Sequence, residues 1–402
     1  MSPHRISSAD ELASRFSASV SITEEEALLA HISPYFDVKN TIYGGRGCFA
    51  RAQIPKGTVI HLSRHPIGSS VARVFRKEVC TWCFGYQDGK TLKHRLHDKI
   101  YFCSQECVAS FVESDPEDLL AQTLVRVELL FAQSRGEISD KDIPGDEDLD
   151  AEISRIWAAT EKWESSLARL KPSKKAQIRP IVNDDDYCEL RYVLGVLHSM
   201  YQTNKAEKLH HREEDSEEQK PANVTPDGAF QLSLSGMDDG EALAIEAKLF
   251  DILHSSESQK VHRYPYLAVS YSNIYKFIRL IAPEEYLPFI SIQAVRDIIG
   301  RNLTNAFGIW SPVTSSDEER EYFGFGVYPS ASFFNHSCKP NVTKIRRGAS
   351  YEYIAKEDIP VGAELCISYG IRESDGLKQR QDALREWFFE CGCSRCTTEG
   401  KA

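Results

Sequence analysis

No stretch of this 402-residue chain approaches the roughly 18 consecutive apolar residues that a membrane-spanning helix needs. The opening MSPHRISSADELASRF lacks the apolar core of a secretory signal, so a soluble, intracellular protein is expected. There is no run of five Lys or Arg that would mark nuclear import, and no internal repeat. Positive charge is in deficit: 48 Lys and Arg stand against 59 Asp and Glu, a net charge of -11. That balance counts against broad binding to nucleic acid phosphates and favours a basic partner, such as a lysine-rich protein tail. Collagen-like, mucin-like and wholly disordered chains are excluded, because 42% hydrophobic and 10% aromatic residues describe a folded globular protein.

What the chain does have is cysteine, eleven in all. Without a secretory signal, clustered thiols hold metal or do chemistry more often than they form disulfides. Cys80, Cys83, Cys103 and Cys107 are spaced x2 and x3, with 19 residues between the pairs. Such pairs present four thiolates tetrahedrally to one Zn²⁺. His94 and His97 lie between them, but four thiolates already complete the shell, so both read as surface histidines. Cys391, Cys393 and Cys396 form a second cluster that needs a fourth ligand, for which Cys338 is the candidate. A zinc there would tie the tail, with Trp387, Phe388 and Phe389, onto the segment around Asn335. Cys48, Cys188 and Cys366 remain and read as small buried hydrophobes.

Turn signals and short β-rich runs from Tyr35 to Leu62, including Tyr43-Gly44-Gly45-Arg46-Gly47, predict an all-β start. At Asp115-Pro116-Glu117-Asp118, a cap residue, a proline for the first helical position and two acids predict a helix start. Helical spacing continues through Ile153–Leu170, Leu190–Met200, 241–254 and 266–300. The stretches 136–150 and about 203–238 are polar and read as solvated loops. β-character returns at 322–328, 342–346, 351–355 and 364–368. Leu377, Leu384, Trp387 and Phe388 then make a helical stripe into the last cysteines. The expected fold is α+β, a β fold split by a zinc module and a helical insert.

Asn335-His336-Ser337-Cys338-Lys339-Pro340-Asn341, followed by Gly362-Ala363-Glu364-Leu365 and Ile367-Ser368-Tyr369-Gly370, resembles the two signature motifs of SET-domain protein lysine methyltransferases. The last cysteine cluster resembles their post-SET zinc tail. Gly45-Arg46-Gly47, the first cysteine pairs and Tyr328-Pro329-Ser330-x-Ser332 resemble the SET-and-MYND subgroup, in which a MYND zinc finger interrupts the SET domain. The resemblance covers about 34–112 and 300–398. It implies an N-terminal extension (1–33), the SET N-terminal part (34–78), a reduced MYND-type finger (79–112), a helical insert with acidic loops (113–299), the SET C-terminal part (300–375) and a post-SET tail (376–402). The finger keeps the outer cysteine pairs of the family pattern and lacks the rest, so one zinc is expected there and two structural zincs in all.

The resemblance implies methyl transfer from S-adenosylmethionine to the side-chain amine of a lysine in a protein substrate, histone or non-histone. It places Gly45, Arg46, Gly47, Asn305, Asn335, His336, Tyr369 and Phe389 at the donor, with Tyr369 as the catalytic residue orienting the amine. Phe307, Ser332 and Trp387 would line the substrate channel. A phenol with an ordinary pKa of about 10 is a poor base at neutral pH, so the lysine proton is expected to leave to solvent. The competing reading is a non-catalytic adaptor that binds protein partners through the finger or the insert; the intact Tyr369 and Asn335-His336 beside a reduced finger count against it. A monomer in the nucleus, the cytoplasm or both is expected, with no membrane and no nucleic acid partner.

Overall fold

The computed structural model describes residues 22–42, 45–144, 148–213, 234–312, 320–372, 374–387 and 389–400. Tyr43, Gly44, Phe388 and much of the expected N-terminal extension and of the 203–238 loop lie outside the described residues. Twelve strands are found among those described: β1 Phe36–Asn40, β2 Arg46–Ala50, β3 Val59–Ser63, β4 Gly68–Val71, β5 His94–Leu96, β6 Ile100–Phe102, β7 Ala306–Trp310, β8 Tyr322–Val327, β9 Asn335–His336, β10 Val342–Arg347, β11 Ser350–Ala355 and β12 Glu364–Ile367. The chain divides into two compact units.

The first unit, Ile67–Lys205 with His254–Val327, is mostly helical. It carries the antiparallel sheet β4-β8-β7 and the hairpin β5-β6. Ser104 caps the helix Gln105–Ser114 by accepting from the Cys107 amide at 3.2 Å. That helix packs Phe111 against Leu92, Ile100 and Phe102, which gives the finger a small apolar core of its own. The next helix, Leu119–Ser134, starts later than Pro116 would have it. Asp118 adopts a left-handed conformation, and the buried Asp115 carboxylate accepts from the Leu119 and Ala121 amides at 2.9 and 2.8 Å. Asp115 therefore caps the helix from outside its first turn.

Helices Leu149–Leu167, Asp184–Glu213, Tyr266–Ile281 and Ile292–Asn305 follow, with shorter pieces between. Asp184–Glu213 runs well past Met200, into the stretch expected to be loop. Polarity misled there, because Gln, Lys, Ala, Glu and Leu are good helix formers whether or not they are buried. Its continuation is anchored by Lys205 and Tyr201, each 2.8 Å from the Glu117 carboxylate.

The second unit, Ser19–Pro66 with Ala206–Leu253 and Tyr328–Ala402, is the β-rich one. Its first sheet has the order β1-β2-β12-β9 and its second β10-β11-β3. All pairs are antiparallel except β12 with β9, where Cys366 faces Asn335 and Ile367 faces His336. The core between the strands is aromatic: Phe334 stacks on Tyr353 at 4.6 Å between centroids and meets Phe36 edge-on at 5.2 Å. The helix Asp239–Asp251 belongs to this unit; its buried Glu246 accepts from the Ser330 amide at 2.8 Å and from the Ser330 hydroxyl at 2.5 Å. The helix Ile22–Ala30, which the sequence did not announce, also lies here.

Of the three left-over cysteines only Cys48 is buried. Cys188 and Cys366 are half-buried; on β12 the alternation of a strand gives the interior to Leu365 and Ile367 and turns Cys366 to the other face.

Candidate functional site

The short parallel pair β9–β12 brings the two halves of the signature string side by side. Asn335, half-buried on β9, donates its carboxamide to the Arg46 carbonyl at 3.0 Å and to Glu364 Oε1 at 2.8 Å. Gly47 follows Arg46 on β2. A methyl group there would lie 2.6 Å from Glu364 Oε1 and 2.7 Å from Asn335 Nδ2, so any larger residue would push these two side chains aside. Gly45 sits at φ +70° with open space where a side chain would be.

The Arg46 guanidinium is held within the protein: it pairs with Glu25, donates to the Ile252 carbonyl at 2.5 Å and lies 5.0 Å over the Phe333 ring. Glu364 is the functional-looking residue that sequence reasoning passed over. It stands inside the quoted Gly-Ala-Glu-Leu string, and a carboxylate beside a buried strand pair was the available signal.

His336 is buried and both its ring nitrogens have partners. Nδ1 accepts from the Tyr369 backbone amide at 3.2 Å, and Nε2 lies 3.3 Å from Cys338 Sγ. That pattern assigns the proton to Nε2. Burial, with the Arg380 charge second, lowers its pKa to about 4, which keeps the ring neutral. The imidazole thus links the Tyr369 backbone to one member of the tail cysteine cluster.

Tyr369 donates its hydroxyl to the Phe334 carbonyl at 3.0 Å. Burial of the phenol end, followed by the nearby Cys366, Cys48 and Glu364, pushes its pKa far above the ordinary tyrosine value. The group remains a protonated donor at any physiological pH. Around its ring stand His336 at 5.4 Å, Trp387 at 6.1 Å and Phe389 at 6.2 Å, the last two half-buried. Ser332 lies on the turn Pro329–Phe333 and donates to the Tyr328 carbonyl at 3.1 Å.

Asn305 and Phe307 fall in the first unit. Asn305 closes the helix Ile292–Asn305, its carboxamide donating to the Arg301 carbonyl at 2.8 Å, and Phe307 is buried on β7.

The eight expected zinc cysteines form two quartets, Cys80, Cys83, Cys103, Cys107 and Cys338, Cys391, Cys393, Cys396, with the sulfur atoms of each within 4.8 Å of one another. Sulfur–sulfur distances of 3.5 Å (Cys83–Cys103, Cys103–Cys107 and Cys338–Cys396) and 3.9 Å (Cys338–Cys391) bracket the ~3.8 Å edge of a tetrahedron with Zn–S of about 2.3 Å. They are far longer than a disulfide, and every cysteine is free. The donor sets therefore fit zinc, and Cys338 takes the fourth corner of the tail quartet. No histidine joins the finger quartet; the exposed His97 instead sets Nε2 2.8 Å from both Asp118 oxygens.

Comparison with known proteins agrees with this geometry. The SET domain family matches residues 45–370. The chain is 29% identical over 400 residues to the potential protein lysine methyltransferase SET6 of Saccharomyces cerevisiae, covering 92% of this chain and 96% of that protein. It is 31% identical over 117 residues to the histone-lysine N-methyltransferase ASHR2 of Arabidopsis thaliana, covering 27% and 29% of the two chains. With the N-lysine methyltransferase SMYD2 of Homo sapiens it shares 38% identity over 89 residues, 22% and 20% of the two.

Proposed function

The chain belongs to the SET-domain family, and from that premise we propose that it is a protein lysine N-methyltransferase that uses S-adenosylmethionine. The observation that carries the reading is the joining, in one unit, of Asn335, the Gly45–Gly47 turn, His336 and Tyr369 beside an aromatic group and a cysteine quartet.

S-adenosylmethionine, when bound, supplies an electrophilic methyl group on a sulfonium. The open space at Gly45 and the half-buried faces of Phe389 and Trp387 fit such a ligand, an amino acid joined to a flat purine. Gly45, Arg46 and Gly47 would meet it with backbone, since the Arg46 side chain is held elsewhere. Asn335 and His336 would hold it through main chain and the carboxamide. Phe389 would stack on the purine.

Positioning is the main task of a site for in-line transfer. Tyr369 performs it with a hydroxyl fixed on the Phe334 carbonyl and a backbone fixed on His336. Its oxygen lone pairs would be left to face the amine, and its raised pKa rules it out as the base, so the lysine proton would leave to water. Trp387 and Ser332 line the approach of the alkylammonium, for which an aromatic face is a suitable wall. The part assigned to Asn305 rests on the resemblance, and that of Phe307 on its aromatic face, which suits an alkylammonium.

The substrate is a protein presenting a lysine, and the net charge of -11 favours a basic segment around it. Two structural zincs would be held by the two quartets, one stabilising the finger and one the tail.

The test is calorimetric titration of S-adenosylmethionine into the zinc-loaded full chain and into Asn335→Ala. Binding by the wild type and its loss in the variant support the reading. A folded, metal-replete wild type that binds no donor overturns it.

A further inference from the structure

Arg380, on the helix Leu377–Leu384, has no exposed surface. A guanidinium in that position is expensive unless its charge and its N–H groups are matched. Its Nη1 donates to the Asp375 carbonyl at 2.7 Å, and its Nη2 donates to Glu399 Oε2 at 2.7 Å. The same Nη2 lies 3.6 Å from Cys396 Sγ, one corner of the tail quartet. The next residue, Gln381, clasps the backbone of a second corner: it donates to the Cys391 carbonyl at 2.9 Å and accepts from the Cys391 amide at 3.0 Å.

The charges close to this quartet are unequal. Four thiolates around a divalent zinc leave a net charge of about -2. Cys338, Cys391 and Cys396 are all buried, so water screens that charge poorly. Glu399 cannot answer it, being an anion itself, and is shared between Arg380 and Arg395, whose Nε lies 2.8 Å away. Arg380 brings a positive charge into contact with a ligand sulfur.

We infer that Arg380 is a positioning residue for the tail metal: its N–H group donates to the Cys396 sulfur and offsets the thiolate charge, which keeps Cys396 coordinated and chemically quiet. Such a bond withdraws electron density from sulfur and lowers its tendency to be protonated, alkylated or oxidised. Because Trp387 and Phe389 lie between this helix and the cysteines in sequence, the same contact holds the aromatic group at Tyr369. The inference rests on the zinc reading of the tail quartet and not on methyl transfer.

The experiment uses the zinc-loaded full chain and Arg380→Met, with Arg380→Gln as the replacement should the first variant not fold, and Arg380→Lys as the conservative rescue. Zinc release to a chromogenic chelator and the sulfur-to-metal charge-transfer bands of the cobalt-substituted protein are read together. In the neutral variants one of the two zincs is expected to leave roughly ten-fold faster or more, the finger zinc serving as internal control. The tail cobalt bands move to lower energy, and Arg380→Lys returns part of both effects. Wild-type release rates and bands in a folded neutral variant overturn the inference while leaving the zinc reading intact. A wild type that holds metal only in the finger overturns the tail-zinc reading and the inference with it.

Discussion

Asn335 and Glu364 meet across the parallel β9–β12 pair, carboxamide nitrogen to carboxylate oxygen at 2.8 Å, both atoms within 2.7 Å of where a Cβ on Gly47 would stand. The contact joins three segments far apart in the chain into one small cradle. Gly47→Ala forces a methyl group into it. We expect a loss of about 1–3 kcal/mol of stability by overpacking, with weakened donor binding in the same variant. Urea unfolding and donor calorimetry check both, and wild-type values in each would show that the cradle yields.

Tyr369→Phe removes one hydroxyl and its bond to the Phe334 carbonyl. A single hydrogen bond is worth about 1 kcal/mol to stability, so the variant should fold. Donor affinity should stay close to wild type while turnover falls by ~10-fold or more, equivalent to ~1.4 kcal/mol in the barrier. Steady-state methylation of a lysine-rich peptide beside donor calorimetry separates the two. Equal loss in both would make Tyr369 a donor-binding residue only.

Elemental analysis of the purified chain should give two zincs, one for each cysteine quartet. Cys391→Ser should lower the count by one and weaken donor binding through the loosened tail. Cys83→Ser should lower it by one through the finger quartet.

Glu246 sets a pH dependence. Burial outweighs the hydrogen bonds from Ser330 and raises its carboxyl from 4.5 to about 7. Folding therefore favours the protonated form. Its contribution is fully present below the unfolded value and is lost as pH rises through about 7, an effect on the order of 3 kcal/mol. Wild-type urea midpoints should fall between about pH 5 and pH 8. Glu246→Gln should flatten that part of the curve, and an unchanged slope would assign it to another group.

Much of this was legible in the residues because the chemistry imposes short spacings. Four thiolates on one zinc must come as near neighbours on turns, so Cys80, Cys83, Cys103 and Cys107 announce themselves. Cys338 as the distant fourth corner was reached by counting ligands. The partners of Arg46 were not legible: Glu25 and Ile252 lie in other parts of the chain and carry no local pattern. Glu246 with Ser330 and Arg380 with Cys396 are of the same kind, set by packing rather than spacing. The long helix Asp184–Glu213 was cut short by equating polar with loop, and Cys366 was misplaced because strand alternation was not applied to it.

The order of strands in the β-rich unit has a consequence for how the protein is made. β2, in which Cys48 pairs with Leu365 of β12, is synthesised long before that neighbour. At a ribosomal rate of roughly 5–20 residues per second, that interval is tens of seconds. Throughout it the early strand keeps an uncovered edge, which is an invitation to wrong pairing. The helical unit is encoded almost entirely within the interval, between Ile67 and Val327, and its emergence fills the wait. The cradle of Gly47, Asn335 and Glu364 thus closes only after β12 has been made.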